Sequence, residues 1–384
     1  MHSTRYLIVG AGMTGDMAAR GIRDHDSDGS IVLVGAEQHP PYKRPLLSKG
    51  MWKGSPEEKL WREPVDGVEL VTGRRIVSVD LDGHRATDDA GEEYAWEKLL
   101  LATGARPREL AGSEGVVHFR TLDDYRALRA AAPEGSRAVV IGGGFIGSEI
   151  AAALHDNGVR VTMVFPEPGI GHRLFPADLS QAITDDYRER GIEVLAGEAV
   201  STAGRNAVQL GSGASLEADA VVAGLGVIPN VELAEAIGLP LDNGIVVDEY
   251  GRAGGRDDVF AAGDVANFPL TALGTRARVE HEDHANAHGR AVGANMAGAA
   301  TPYDHLPLFY SDLFDLGYEA VGEVDSRLAS EARWEEPFRK GIVAYVDAER
   351  RPRGYLLWNV WDRADDARAA IRAAQPLGEE LLAV

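Results

Sequence analysis

Two short stretches, "YLIVGAGMTGDMAA" and "VVIGGGFIGSEI", constrain this chain more than anything else in it. Each is an apolar run that ends in spaced glycines and a small-residue helix start. The first carries Gly10, Gly12 and Gly15, and the second Gly142, Gly144 and Gly147. The glycines permit a tight turn, close approach of a pyrophosphate, and close helix–strand packing, while the helix N-terminus supplies oriented N–H donors. Residues 5–35 and 137–165 both read as strand, glycine turn, helix, strand, the context such a fingerprint needs. Each unit also ends in an acid where a ribose hydroxyl needs an acceptor: Glu37 lies 22 residues past Gly15, and Glu167 lies 20 past Gly147. One fingerprint alone is a weak signal. Two complete units predict two bound dinucleotides. The acids, with no Arg expected beside them, disfavour a 2′-phosphate, although Arg173 lies six residues past Glu167.

The rest of the chain suits that reading. At 384 residues it is too long for one ordinary core. No apolar run reaches the length of a membrane span, and the first strand begins too early to leave room for a signal or transit peptide. Both points predict a cytoplasmic location. The net charge of −21 argues against nucleic-acid and anionic-membrane partners. There is no cysteine, which excludes every mechanism that runs through a thiol or dithiol. Behind each βαβ unit comes a similar tail of short strands, a weak internal duplication. A helix is predicted from about His284 to Met296, and residues 301–384 read as a small α+β domain with a final amphipathic helix near 363–374. His281, His284 and His288 share one helical face, but the spacing is wrong for a His-Glu-x-x-His site and no carboxylate-rich or thiolate set accompanies it, so no metal is expected.

Taken together, "GAGMTG", "YKRPLLSKG", "LLLATGARP", "IGGGFIGSE", "FPEPG", "GLGVIPNVELA", "VFAAGDVANF", "RVEHEDHA" and "YSDLFDLGYEAVGEVDS" follow one another along nearly the whole chain. In that order they resemble the pyridine nucleotide-dependent flavoproteins with two dinucleotide-binding domains. Within these the resemblance is to apoptosis-inducing-factor-like proteins and the ferredoxin reductases of aromatic-oxygenase systems. It implies an α/β fold of two Rossmann-like domains, with the FAD domain split by an inserted NAD domain, plus a small C-terminal α+β domain. The expected boundaries are 1–115 and 241–300 for FAD, 116–240 for NAD, and 301–384 for the C-terminal domain, which helps pair subunits into a homodimer. FAD is expected without a covalent link, on Gly10, Gly12, Gly15, Glu37, Arg44, Pro45, Ser48, Thr103, Gly104, Gly263 and Asp264. NADH, rather than NADPH, is expected on Gly142, Gly144, Gly147 and Glu167. The resemblance further implies that Lys49 lies near the flavin N5 and pairs with Glu149, that Phe145 gates the nicotinamide, and that Glu280 and His281 sit at the flavin edge. Tyr310 stands where relatives carry a Trp.

Two functions follow as expectations. One is an oxidoreductase in which NADH reduces FAD by hydride transfer and the flavin passes electrons to an acceptor. The acceptor is an electron-carrier protein of the iron–sulfur kind, a quinone or oxygen. Since such carriers are usually acidic, the −21 charge would slow their encounter, and the segments "ERRPRG" and "FRK" are expected to offer a local basic patch. The other function is a redox-responsive protein whose long-lived flavin–NAD complex controls dimerisation or partner binding.

Overall fold

The computed structural model describes residues 2–378. Among these the helices are α1 (Met13–Arg23), α2 (Leu122–Ala131), α3 (Phe145–Asp156), α4 (Ala177–Glu189), α5 (Glu232–Ala236), α6 (Glu282–Met296) and α7 (Ala364–Ala373). The chain forms two compact units. Of the described residues, the first takes those up to Arg44, Glu57–Arg106 and Ile228–Pro307; the second takes Pro45–Pro56, Pro107–Val227 and those from Leu308 on.

The first unit is built on a seven-stranded sheet. Its centre is parallel: His2–Val9 lies between Ile31–Gly35 and Glu93–Leu101, with Leu7 opposite Val32 on one side and Leu99 on the other. Strands buried on both faces read as unbroken apolar runs, and Leu7, Ile8, Leu99 and Leu100 are fully buried. Besides His2–Val9, strand Glu93–Leu101 has two further partners, the antiparallel Arg85–Asp88 at its start and the parallel Val259–Ala261 at its end. The late strand is thereby stitched into the sheet begun by the first residues. Helices α1 and α6 cover one face with Ala18, Ala19, Ile22, Val292 and Met296. They touch backbone to backbone. A Cβ on Gly21 would stand 2.1 Å from the Arg290 carbonyl oxygen, and one on Gly293 would stand 2.1 Å from that of Ala18.

The second unit has a five-stranded parallel sheet, in the order Glu193–Ala196, Arg160–Phe165, Arg137–Ile141, Ala220–Ala223, Val117–His118. Helices α2, α3 and α4 are its crossovers. The sequence pattern marked α3 but left α2 and α4 unassigned. α2 begins at a capping box, Thr121 with Asp124. A second, antiparallel sheet of five strands comes from the last part of the chain, ordered Leu308–Leu313, Leu316–Gly322, Pro352–Trp358, Lys340–Val346, Ala329–Glu336. Its inner face meets the parallel half through aromatic pairs, with Phe175 edge-on to both Tyr318 and Trp358. The outer strand Ala329–Glu336 is almost entirely exposed and alternates charges of both signs, including Glu331, Arg333 and Glu335. No helix among the described residues is long and apolar enough to cross a membrane.

Candidate active site

Both glycine turns have the geometry their spacing predicts. Gly10 takes φ +119°, and a Cβ there would fall 2.1 Å from the Ala102 carbonyl oxygen; one on Gly15 would fall 2.0 Å from that of Gly10. Gly142 and Gly147 repeat this, at φ +115° against Gly224 and at 2.0 Å from Gly142. The middle glycines differ. A Cβ on Gly12 or Gly144 would meet nothing within 4 Å, so no protein neighbour requires glycine there and the space before each turn is open. Each is also the N-cap of its helix, α1 or α3, with no side-chain cap. Open space before uncapped N–H donors fits a pyrophosphate in both turns.

The acids are not as solitary as the spacing implies. Burial works to raise the pKa of Glu37, but the Arg44 guanidinium at 2.8 Å and the Tyr42 hydroxyl at 2.6 Å outweigh it and hold the carboxyl below its usual range. Glu167 accepts from Arg173 at 2.9 Å. The expectation that no Arg stands beside either acid is therefore corrected.

In the first unit, Gly263 turns at φ +73° against Thr14. Arg278 donates to the backbone carbonyl of Asp264 at 3.1 Å and pairs with Glu280 at 2.5 Å, which brings those two predicted residues together. Thr103 and Asn230 exchange hydrogen bonds at 2.7 and 2.8 Å, fixing the turn before Gly104. His281 caps α6, which starts two residues earlier than the pattern indicated. Desolvation takes its pKa down to about 4, against the pull of Asp264 and Asp283, so the ring is neutral at pH 7. His284 and His288 are fully buried among Phe268 and Tyr303. His288 Nδ1 accepts the Gly263 N–H at 3.2 Å, and His284 Nδ1 meets the Tyr303 hydroxyl at 3.0 Å. These imidazoles support the Gly263 turn, and no group of metal-binding residues occurs among the described residues.

In the second unit, Lys49 and Glu149 form a close ion pair, 11% and 7% exposed at their side chains. The backbone chain of Pro45–Ser48 leads into it. Ser48 donates to Glu149 Oε2 at 2.6 Å, and Ser311, which the sequence did not single out, donates to Oε1 at 2.5 Å. Lys49 Nζ also stands 3.8 Å from Asp312 and 5.2 Å from the centre of the Tyr310 ring. Burial first, then the charge of Glu149, drives the pKa of Tyr187 and Tyr318 well up. Phe145, the first residue of α3, is half-buried and meets Phe309 edge-on at 5.3 Å. A cavity of about 310 Å³ opens beside the pair, lined by Trp52, Lys53, Asn157, Asp312 and Phe314 among others. An ammonium and a carboxylate fixed in so dry a place give a strong oriented field, of the kind that steers a charge-separating reaction.

The basic patch does not form. Arg350 pairs with Glu331 at 2.8 Å, Arg351 with Asp347 at 3.0 Å, Arg353 with Glu323 at 2.6 Å and Lys340 with Glu335 at 2.7 Å. Arg339 is shared between Asp186 and Asp315. Each cation of the two segments has a carboxylate at hand, so the segments are locally neutral.

Comparison with known proteins agrees with this architecture. The family described as pyridine nucleotide-disulphide oxidoreductase matches residues 4–289, and the one described as apoptosis-inducing factor, mitochondrion-associated, C-term matches 292–335. Apoptosis-inducing factor 1, mitochondrial, of Dictyostelium discoideum is 32% identical over 416 residues, covering 96% of this chain and 78% of that protein. The anthranilate 1,2-dioxygenase system ferredoxin–NAD(+) reductase component of Burkholderia cepacia is 36% identical, covering 84% of this chain and 82% of that one. Among solved structures, the ferredoxin reductase for the CYP199A2 system from Rhodopseudomonas palustris aligns with a TM-score of 0.89 and 32% identity, over 97% of this chain and 96% of the other. Two open glycine cradles and a chain without cysteine thus have one consistent explanation: the protein belongs to the pyridine nucleotide-disulphide oxidoreductase family, as a FAD-dependent NAD(P)H oxidoreductase that works without the thiol chemistry of the family name.

Proposed function

We propose that this enzyme takes a hydride from NADH, in preference to NADPH, onto non-covalently bound FAD and passes the electrons to a ferredoxin-type iron–sulfur carrier. FAD supplies the conversion of a two-electron donor into single electrons. The observation that supports the reading most is the buried Lys49–Glu149 pair, whose carboxylate is held by two further hydroxyls. In this reading residues 1–115 and 241–300 hold FAD and 116–240 hold NADH. The first glycine turn, Glu37, Arg44, Asp264, Thr103 and Gly104 bind the former. The second turn and Glu167 bind the latter, and Phe145 yields to admit the nicotinamide. Lys49 stabilises negative charge as it develops, Glu149 orients the amide of the incoming ring, and neutral His281 with Glu280 borders the reacting rings. The named activities of the reductase relatives support a carrier protein as acceptor, while the neutralised 338–354 region argues for docking elsewhere. A cytoplasmic location belongs to the same reading.

The match at 292–335 favours one alternative. There the reduced flavin with NAD persists and sets the dimerisation of residues 301–384 or their binding to a partner. A single anaerobic stopped-flow experiment separates the two. The purified protein is expected to be yellow, with about one FAD per chain, and to bleach with NADH. Rapid discharge on adding a ferredoxin supports the first reading. A long-wavelength band that outlasts added ferredoxin and air, with a change in particle size, supports the second. A colourless protein that FAD does not reconstitute ends both.

A further inference from the structure

The Glu149 side chain is only 7% exposed, and a carboxylate so buried is tolerable in ionised form only if its lone pairs find donors. Three donors reach it from two distant parts of the chain. Lys49 and Ser48 arrive from the turn about 100 residues upstream, and Ser311 arrives from 162 residues downstream. Ser311 is fully buried and lies on the edge strand Leu308–Leu313, where alternation turns Phe309, Ser311 and Leu313 inward. Its neighbours in sequence complete the surroundings of the ammonium: the Tyr310 ring and the Asp312 carboxylate both approach Lys49 Nζ. Thus the run Tyr310-Ser311-Asp312 meets both members of the pair.

The hairpin that presents this run is anchored at its tip. Phe314 takes φ +61°, a left-handed conformation that is costly for an aromatic residue and persists only where the surroundings over-determine it. They do so here. Its ring sits edge-on to Tyr187 at 5.0 Å and to His155 at 5.5 Å, and the Arg190 guanidinium lies over it at 4.4 Å. The next residue, Asp315, pairs with both Arg190 and Arg339. Two helices of the parallel half, α3 and α4, therefore fix the register at which the hydroxyl of Ser311 meets Glu149.

We propose that Ser311 is a positioning residue for the Lys49–Glu149 pair. Its hydroxyl shares Oε1 with the Lys49 ammonium, so that the carboxylate keeps one rotation and the lysine one location. This rests on the reading of that pair as the charged couple of the hydride-transfer site. Without the hydroxyl, Oε1 has one donor fewer, the carboxylate turns more freely, and Lys49 divides its time between Glu149 and Asp312.

The test compares FAD-loaded wild type, Ser311→Ala, Ser311→Thr, Glu149→Gln and the Ser311→Ala/Glu149→Gln double variant. It reads both flavin reduction by NADH and thermal unfolding. Ser311→Ala is expected to lower the limiting reduction rate about tenfold, the scale of one hydrogen bond to a charged group, with less than about threefold change in half-saturating NADH. Ser311→Thr, which keeps the hydroxyl, is expected to recover all but about threefold of that loss. In the Glu149→Gln background the further effect of Ser311→Ala is expected to fall below about twofold, and the drop in melting temperature it causes to shrink by about half or more. Equal losses from Ser311→Ala in both backgrounds, in rate and in melting temperature, overturn the proposal. If Glu149→Gln itself leaves hydride transfer intact, the catalytic reading of the pair fails; the melting cycle still decides whether Ser311 holds Glu149.

Discussion

At the scale of single residues, Glu167 and Arg173 stand as opposite charges 2.9 Å apart, yet they are unequal, the arginine being 84% exposed and the glutamate 25%. The exposed partner is screened by water and salt, so in the proposed function the carboxylate outweighs it toward a ribose 2′-substituent. Glu167→Gln is therefore expected to lower the NADH-over-NADPH ratio of kcat/KM about tenfold. Arg173→Ala is expected to raise it about threefold, because the remaining negative charge is less compensated. Stopped-flow reduction with each nucleotide at matched concentrations measures both, and a ratio unmoved by Glu167→Gln removes this acid from specificity. Glu167 becomes a candidate by counting from Gly147. Its arginine partner could not be read that way, since a side chain six residues on meets it only through the turn that follows the strand. Ser311 was hidden more thoroughly. A lone serine in a strand carries no local mark of the carboxylate it serves, and only the resemblance drew attention to the segment around it.

Among the elements, the contact of α1 with α6 ties the first glycine turn, which holds FAD in the proposed function, to packing. α1 begins at Gly12 and is backed by α6, with Gly21, Gly289 and Gly293 letting the two backbones meet. Neither helix has room to shift toward the other. Gly293→Ala places a methyl where the Ala18 carbonyl stands, and overpacking of this kind costs about 1–3 kcal/mol. The expected outcome is a lower melting temperature together with weaker FAD retention, because displacing α1 moves the first glycine turn. Unchanged FAD affinity in a destabilised variant would uncouple the two. The βαβ helices were legible because a glycine turn and an apolar strand frame each one. α2 announces its start locally in Thr121 and Asp124, but its charged, Ala-rich body gives only a weak apolar stripe. α4 follows Pro176 with no side-chain cap, so its start carries no capping signal in the sequence. The junctions of the two compact units were least legible, since contacts between segments far apart in sequence draw them.

For the whole molecule, three desolvated imidazoles, two of them fully buried, shape the response to acid. Desolvation holds His281 at about 4, His288 at about 3 and His284 well below its ordinary value. In the unfolded chain all three take up a proton near pH 6.5. Above that pH their contribution to stability is fully present, and as pH falls from about 6.5 toward 4 and 3 the unfolded state binds protons that the folded state refuses. Stability is expected to decline over that window, by up to about 1.4 kcal/mol per pH unit for each imidazole. Denaturant midpoints at pH 7.5, 6 and 5 measure the decline, and His288→Asn should make it shallower; an identical slope would show that the ring is already solvated. Charge matters between molecules as well. Among the described residues the strand Ala329–Glu336 lies at an edge of its sheet, and such an edge is the usual seed for a growing β-stack. Two copies meeting there would bring largely compensated charges together, since Glu331 is paired with Arg350 and Glu335 with Lys340, so the repulsion comes from the chain as a whole at −21. In a concentrated solution near neutral pH that net charge therefore resists fibre growth, and acid that neutralises the carboxylates weakens the resistance just as the interior loosens.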